Sequence, residues 1–261
     1  MSIEIEVLSM VDPVLFHVGS RPIYWYGVMM AFAFLAGITH WNWLGRRTGR
    51  DVSISGDLAF WLMVGGLIGA RTAYVISNFS YYHAAPQEII RVDQGGLIFY
   101  GGFIGGLLIF IAFARWRKLN VLDLADFAVT AIPLGHALGR VGCFLNGCCG
   151  GSAVSPPSLL SCGLDHYPVQ LYEAALNLGV YVLLTWFFLK RRGTRSGSVM
   201  ALYLTTYPVC RFLLEFFRGD DRMRLGTIDV AQGISIGLFA TGLILWALIF
   251  RTARNASPTG K

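Results

Sequence analysis

The chain has 261 residues, of which 55% are hydrophobic and only 14% charged, with mean hydropathy +0.57. Soluble domains carry about a quarter charged residues, so this balance excludes an ordinary water-soluble enzyme and leaves lipid as the solvent for much of the surface. The net charge of +6 is spread over short clusters between apolar runs, which orients a chain in a membrane and does not make a nucleic-acid face.

The first dozen residues are mildly acidic (Glu4, Glu6, Asp12) and lack the basic start of a signal peptide, so no cleavage is expected there. A run of roughly 20 mostly apolar residues crosses hydrocarbon as a helix. Seven such runs follow in chain order: 24–44, 57–77, 97–115, 123–147, 168–189, 197–217 and 227–250. They predict an all-α membrane protein with seven transmembrane helices in a single domain over 1–261. Pro133, Gly135, Gly139 and Gly142 interrupt the fourth run. It reads as a broken helix, which a membrane tolerates where the backbone is buried in protein or lines a cavity.

Charge alternates along the connections. Arg46, Arg47 and Arg50 follow the first run, and Arg115, Arg117 and Lys118 the third. Lys190, Arg191, Arg192 and Arg195 follow the fifth, and Arg251, Arg254 and Lys261 close the chain. The remaining connections are acidic, mixed or nearly uncharged. Positive loops stay in the cytoplasm, so the amino terminus is expected outside and the carboxyl terminus inside.

Gly65-Gly66-x-x-Gly69-Ala70 and Gly101-Gly102-x-x-Gly105-Gly106 mark the second and third runs. Small residues let helix backbones approach closely; backbone contact with a lipid headgroup is the less favoured reading.

Ionisable residues inside a span are expensive and mark candidate sites. Arg140 lies about 25 Å beyond the start of the outward-running fourth run, at 1.5 Å per residue. No carboxylate stands within a turn of it, so its fork of donors needs an anion from elsewhere. A phosphate suits it, and so does a cross-helix pair with Glu173 or Glu215. Arg211, Glu215 and Arg218 stand at i, i+4 and i+7 on one face of the sixth run. They read equally as an ion-paired strut with snorkelling stems or as part of a site. His136 shares a face with Arg140; a packing role is the stronger expectation and a catalytic one the weaker. Arg71, Tyr26, Tyr100, Tyr172 with Glu173, and Asp229 fall at the same outer depth. Tyr24, Tyr81 and Tyr82 read as interfacial belt residues. Asp57, Asp123 and Asp126 fall at cytoplasmic helix starts, where a carboxylate suits the helix dipole or an N-cap.

Five cysteines are present, three of them as Cys143-x4-Cys148-Cys149. This is not a C-x-x-C zinc or thioredoxin spacing. A disulfide, for instance from Cys148 or Cys149 to Cys162, or inert buried thiols are expected before a metal site.

The strip from Gly135 to Gly151, GHALGRVGCFLNGCCGG, resembles the signature of the prolipoprotein diacylglyceryl transferase family. Further matches run in order along the chain: Tyr26-Gly27, GGLIFYGG followed by GGFIGG, Asp126-Phe127, PVQLYE (Pro168 to Glu173) and RFLLEFFR (Arg211 to Arg218). The family has seven spans with the amino terminus outside. The resemblance implies a bacterial inner-membrane enzyme that moves diacylglyceryl from phosphatidylglycerol to the lipobox cysteine thiol of prolipoprotein signal peptides. The products are a thioether and glycerol phosphate. It implies Arg140 and Arg211 on the phosphate, Glu215 orienting the arginine pair and Arg218 at the rim. It places Tyr26 and Asn146 on headgroup or glycerol oxygens, Gly151 where a backbone approaches closely, and Asp126 as a carried-over site residue with structural support its expected role. It implies no metal or organic cofactor and no nucleic-acid partner.

The chain departs from the family pattern at four places. Many members have asparagine at the position of Cys143, glutamate at Cys148, and histidine at Tyr100 and at Tyr167, while the G-R-x-G-C-F-x-x-G-C-C pattern seen here resembles that of a branch associated with the family. The histidine replaced by Tyr100 is the proposed base, so Tyr100 stands at the base position with His136 as competitor. Two other classes compete: a non-catalytic lipid- or lipoprotein-binding paralogue, and an organic-anion transporter. A transporter puts its charges near the midplane at a repeat interface, whereas here they bunch at one depth.

Overall fold

In hydrocarbon every backbone N–H and C=O must be satisfied within the segment, so long apolar runs become helices. The computed structural model describes residues 12–92, 95–158, 161–190, 195–219, 224–225 and 228–255. Glu4, Glu6, Arg191, Arg192 and Lys261, used in the charge reading, lie outside them. Six helical stretches are long and apolar enough to cross a membrane. They are α2 (Ser53–Ser77), α4 (Phe99–Trp116), the stretch Val121–Leu145, α7 (Val169–Lys190), α8 with its following turn (Ser198–Phe217), and the greater part of α9 (Val230–Asn255). A further helix, α1 (Trp25–Thr48), has 24 residues and ends on Arg46 and Arg47. The surface is apolar, as a lipid solvent requires: Ile68, Leu108, Val182 and Phe250 are all exposed. Polar groups such as Asp126, Glu173, Asn177 and Gln232 are buried instead.

By packing, the chain divides into two compact units, one of Trp41–Leu124 and the other of the residues up to His40 with those from Ala125 on. In the first, α2 packs on α4 through the two glycine clusters. A Cβ on Gly69 would stand 2.9 Å from the Gly105 Cα, and one on Gly105 the same distance from the Gly69 Cα. These glycines therefore serve helix–helix contact, the favoured of the two expectations. Arg71 of α2 is buried and donates from Nε to Ile89 O (2.8 Å), from Nη1 to Gly95 O (3.0 Å) and Gly96 O (3.1 Å), and from Nη2 to Glu88 O. It ties the segment after the short helix α3 (Phe79–Ala84) back to α2. At the opposite end, Asp57 pairs with Arg117 (2.7 Å) and Asp123 with Arg50 (2.8 Å). These carboxylates bind arginines of the cytoplasmic-type clusters, and α2 has no side-chain cap.

In the second unit a hairpin, β1 (Val14–Val18) with β2 (Arg21–Tyr24), leads into α1. Its turn passes Gly19 at φ +62°, and its β-branched and aromatic residues favour extended backbone. The sequence reading, tuned to helical runs, did not anticipate it. A second small hairpin, β3 (Arg224–Leu225) with β4 (Ile228–Asp229), leads into α9. The stretch Val121–Leu145 consists of α5 (Val121–Ala128) and α6 (Ile132–Leu145), separated by a turn at 129–131. There Thr130, Ala131 and Ile132 donate to carbonyls three residues back, and Pro133 follows in the first turn of α6.

Helix α6 packs on α7, α7 on α8, and α8 on α9, with Val129, Val180, Leu184 and Val199 buried among them. Asp126, fully buried, accepts from the backbone N–H groups of Gly197 (2.6 Å) and Met200 (2.8 Å) at the start of α8. It caps a neighbouring helix, not its own. Thr130 donates to Phe127 O (2.7 Å), so its oxygen accepts from His40 Nε2 (2.9 Å), and His40 Nδ1 accepts from the Tyr181 hydroxyl (3.1 Å). Both imidazole nitrogens are thus satisfied in one neutral tautomer.

Candidate active site

The polar residues of the second unit converge where α6 and α8 end and α7 begins. Tyr203, Tyr207, Arg211 and Glu215 follow one another at four-residue spacing along α8 and the turn Glu215–Phe217, which puts them on one face. Arg211 and Glu215 form an ion pair. Helix α7 contributes Glu173, 1% exposed. Its Oε2 lies 2.9 Å from Arg140 Nε and 3.8 Å from Arg218 Nη1, and its Oε1 lies 3.2 Å from His136 Nε2. The Arg140 Nε contact is out of line for a hydrogen bond, so it is an ion pair without a directed N–H···O bond. The His136 ring is 5.5 Å from that of Tyr207, which stacks on Tyr203.

Arg140 therefore has its anion from across the helix interface, and one carboxylate serves Arg140, Arg218 and His136 together. Among the described residues of the cluster, three guanidinium groups face two carboxylates. Glu215 pairs with Arg211. Glu173 holds Arg140 and Arg218, a role the sequence reading considered for Arg140 but did not assign. Tyr207 was missed outright. The sequence signal for both was available: an acid within an apolar run, and a tyrosine four residues before Arg211.

Helix α6 ends in a Schellman cap. Gly147, at φ +68°, donates to Phe144 O (3.1 Å), and Cys148 donates to Cys143 O (3.1 Å). Asn146 is the last residue before the glycine, its N–H on Gly142 O. This cap folds Cys148 back over Cys143, and Cys149 follows in the left-handed region at φ +65°. The three Sγ atoms all lie within 4.8 Å of one another, Cys148 and Cys149 being 3.2 Å apart. Gln170 of α7 donates to Cys148 O (2.6 Å) and fixes the segment. All five cysteines are free thiols, and Cys162 is exposed, so the expected bridge to Cys162 is not formed. A hydrogen bond from Cys143, then one from Cys148 and the charges of Arg140 and Arg218, hold the Cys149 thiol below its ordinary value, at about 5, against the effect of burial. Burial first, then Cys149, push Cys148 up.

Gly151 pairs with Arg218 in an antiparallel bridge and donates to Tyr167 O (2.9 Å). A Cβ there would lie 2.6 Å from Phe217 O. The close backbone approach expected at Gly151 is thus an approach of the chain to itself. Tyr26, in the first turn of α1, lies against the end of α6: a Cβ on Gly142 would stand 3.4 Å from its ring. The second unit thus gathers His136, Arg140, Asn146, Gly151, Tyr26, Arg211, Glu215 and Arg218 around the ends of α6 and α8. Asp126 lies at the start of α8 instead. Tyr100 belongs to the other unit, in the first turn of α4, where it is exposed and packs edge-on against Phe99. That unit also holds a cavity of about 380 Å³ lined by Arg71, Tyr74, Tyr82 and Arg91.

A family model described as prolipoprotein diacylglyceryl transferase matches residues 13–248. The phosphatidylglycerol–prolipoprotein diacylglyceryl transferase of Pseudoalteromonas translucida is 34% identical, over 98% of this chain and 99% of its own. The protein of the same name from Synechococcus elongatus is 34% identical over 93% of this chain and 89% of its own, and that from Bordetella parapertussis 36% identical over 87% and 88%.

Proposed function

The chain belongs to the prolipoprotein diacylglyceryl transferase family, and from that premise we propose that it transfers diacylglyceryl from phosphatidylglycerol to the lipobox cysteine thiol of prolipoproteins. The observation that carries the site reading is the convergence of Arg140, Arg211 and Arg218 on Glu173 and Glu215. The leaving glycerol phosphate gains negative charge as the carbon–oxygen bond breaks. Cations fixed in place beforehand stabilise that charge without reorganising.

Seven helices, α1 included, cross the bacterial inner membrane as one domain, with the amino terminus outside and the carboxyl terminus in the cytoplasm. The fourth crossing is broken between α5 and α6. The arginine clusters after α1, α4 and α7 support this orientation. It turns the ends of α6 and α8 toward the external leaflet, where phospholipid headgroup and signal-peptide cysteine meet.

Arg140 and Arg211 hold the phosphate, Arg140 backed by the shared Glu173 and Arg211 by Glu215, and Arg218 closes the rim. Tyr26 and Asn146 bind headgroup or glycerol oxygens. The thiol proton leaves to a base, for which Tyr100 holds the family position and His136 is the competitor. The thiolate sulfur attacks the glyceryl carbon, and the phosphate leaves with the bonding pair.

Purified protein incubated with phosphatidylglycerol and a lipobox peptide should yield the diacylglyceryl mass addition on the peptide cysteine, and Arg211→Ala should lower its rate by about 10²–10³. No adduct with several competent peptides would overturn the assignment. Tyr100→Phe at full rate would remove Tyr100 as the base.

A further inference from the structure

Three thiols gathered at one helix end have no part in the transfer chemistry as derived above. Their arrangement follows from the cap. In a Schellman motif the residue after the left-handed glycine folds onto the residue five earlier, here Cys148 onto Cys143. The left-handed backbone at Cys149 turns the third thiol toward the same point. Each anchor is independent of the sulfurs: the cap bonds of Gly147 and Cys148, and the Gln170 bond to Cys148 O.

We propose that Cys143, Cys148 and Cys149 bind a zinc ion as thiolates and leave its fourth position to an exogenous thiol. Thiolates at about 2.3 Å from a tetrahedral zinc stand about 3.8 Å apart. The three Sγ atoms, within 4.8 Å of one another and 3.2 Å apart for Cys148 and Cys149, reach that triangle by side-chain rotations that change their separations by about 1 Å or less. Soft thiolates select a d¹⁰ cation over magnesium or calcium. Three thiolates and Zn²⁺ carry one net negative charge, which suits the field of Arg140 and Arg218. A site with three protein ligands keeps an open position, and a thiolate completes the set that soft zinc prefers.

The identity of that thiol rests on the proposed function: it is the lipobox cysteine. On binding, its proton is released, as are those of the three protein thiols. The sulfur then forms its bond to the glyceryl carbon while the carbon–oxygen bond breaks, and glycerol phosphate leaves with the electron pair. No oxidation or reduction takes place.

The test uses reduced, full-length protein in detergent without phospholipid. After loading with Zn²⁺ and removal of excess, one zinc per chain is expected, with two thiols, Cys162 and Cys210, still reactive. Co²⁺ in place of zinc should give thiolate charge-transfer bands and intense tetrahedral d–d bands. Cys143→Ser and Cys149→Ser should abolish these bands, and Cys162→Ser should keep them. A lipobox peptide should shift the d–d bands, and its Cys→Ser form should not. No metal uptake, with five reactive thiols, overturns the proposal; so does a cobalt spectrum indifferent to the peptide, which means a closed structural site. The wild-type spectrum decides even where a variant fails to fold. Transfer activity is read separately, so a metal site without transfer counts against the transferase reading and transfer without metal counts against the zinc.

Discussion

Arg71, buried, and Arg140, half-buried, both stand near the ends of apolar helices, and their surroundings differ in kind. Arg71 donates to four backbone carbonyls of its own unit. Its charge is solvated by neutral dipoles and its geometry is fixed by the chain. Arg140 meets a carboxylate shared with Arg218 and His136, at a distance but not an angle that suits a hydrogen bond. A guanidinium saturated by carbonyls is a brace. One that shares its anion with two other groups, at an angle that leaves its N–H donors undirected, can turn them to a second anion. Residue type is the same in both cases, and the acceptors decide the role.

The largest effect that tests this contrast is on Glu173. Glu173→Gln leaves Arg140 and Arg218 without their common anion, and removing one partner of a buried ion pair costs about 3–5 kcal/mol. Thermal unfolding in detergent should show the loss, and transfer activity should fall with it; an unchanged Tm would mean that Glu173 is not the shared counter-ion. Arg140→Lys comes next. It keeps the charge but loses the fork, so transfer should drop about 100-fold with Tm nearly unchanged. Arg71→Lys should do the reverse: about 1–3 kcal/mol of stability lost as carbonyls lose their donors, with the rate of the folded fraction within about twofold of wild type. If both lysine variants change rate and stability alike, the distinction between brace and site fails. The smallest effect is that of Tyr181→Phe, which deletes the hydroxyl on His40 Nδ1. About 1 kcal/mol of stability should go, with transfer intact.

Much of the scaffold was legible in the sequence, since an apolar run and its helix are fixed by the same local rule. The run 57–77 corresponds to Ser53–Ser77, 97–115 to Phe99–Trp116, and 168–189 to Val169–Lys190. The Arg211–Glu215 pair was legible too, because four-residue spacing is a local geometry. What escaped is set by contacts between distant segments. Glu173 meets Arg140 only because α7 packs on α6, and Asp126 caps α8 only because α5 delivers it there. The spacing Cys143-x4-Cys148-Cys149 fits no zinc pattern drawn from sequence. It gathers three thiols because a glycine at the right place caps a helix, and cap geometry is not part of such patterns. The β1–β2 hairpin was passed over because its alternation is short and lies beside a stronger helical signal.

Gly151 carries a consequence for how damage spreads. Its backbone bridge to Arg218, with Phe217 O close behind, rivets the thiol-bearing strand to the arginine-bearing turn as a single mount. A side chain at position 151 would tilt both at once, so one small lesion there would mimic a double mutant. Substitutions in the thiol segment and in the Arg211–Arg218 turn should therefore combine non-additively even where their side chains never touch. Selection then treats the two segments as a single inherited part.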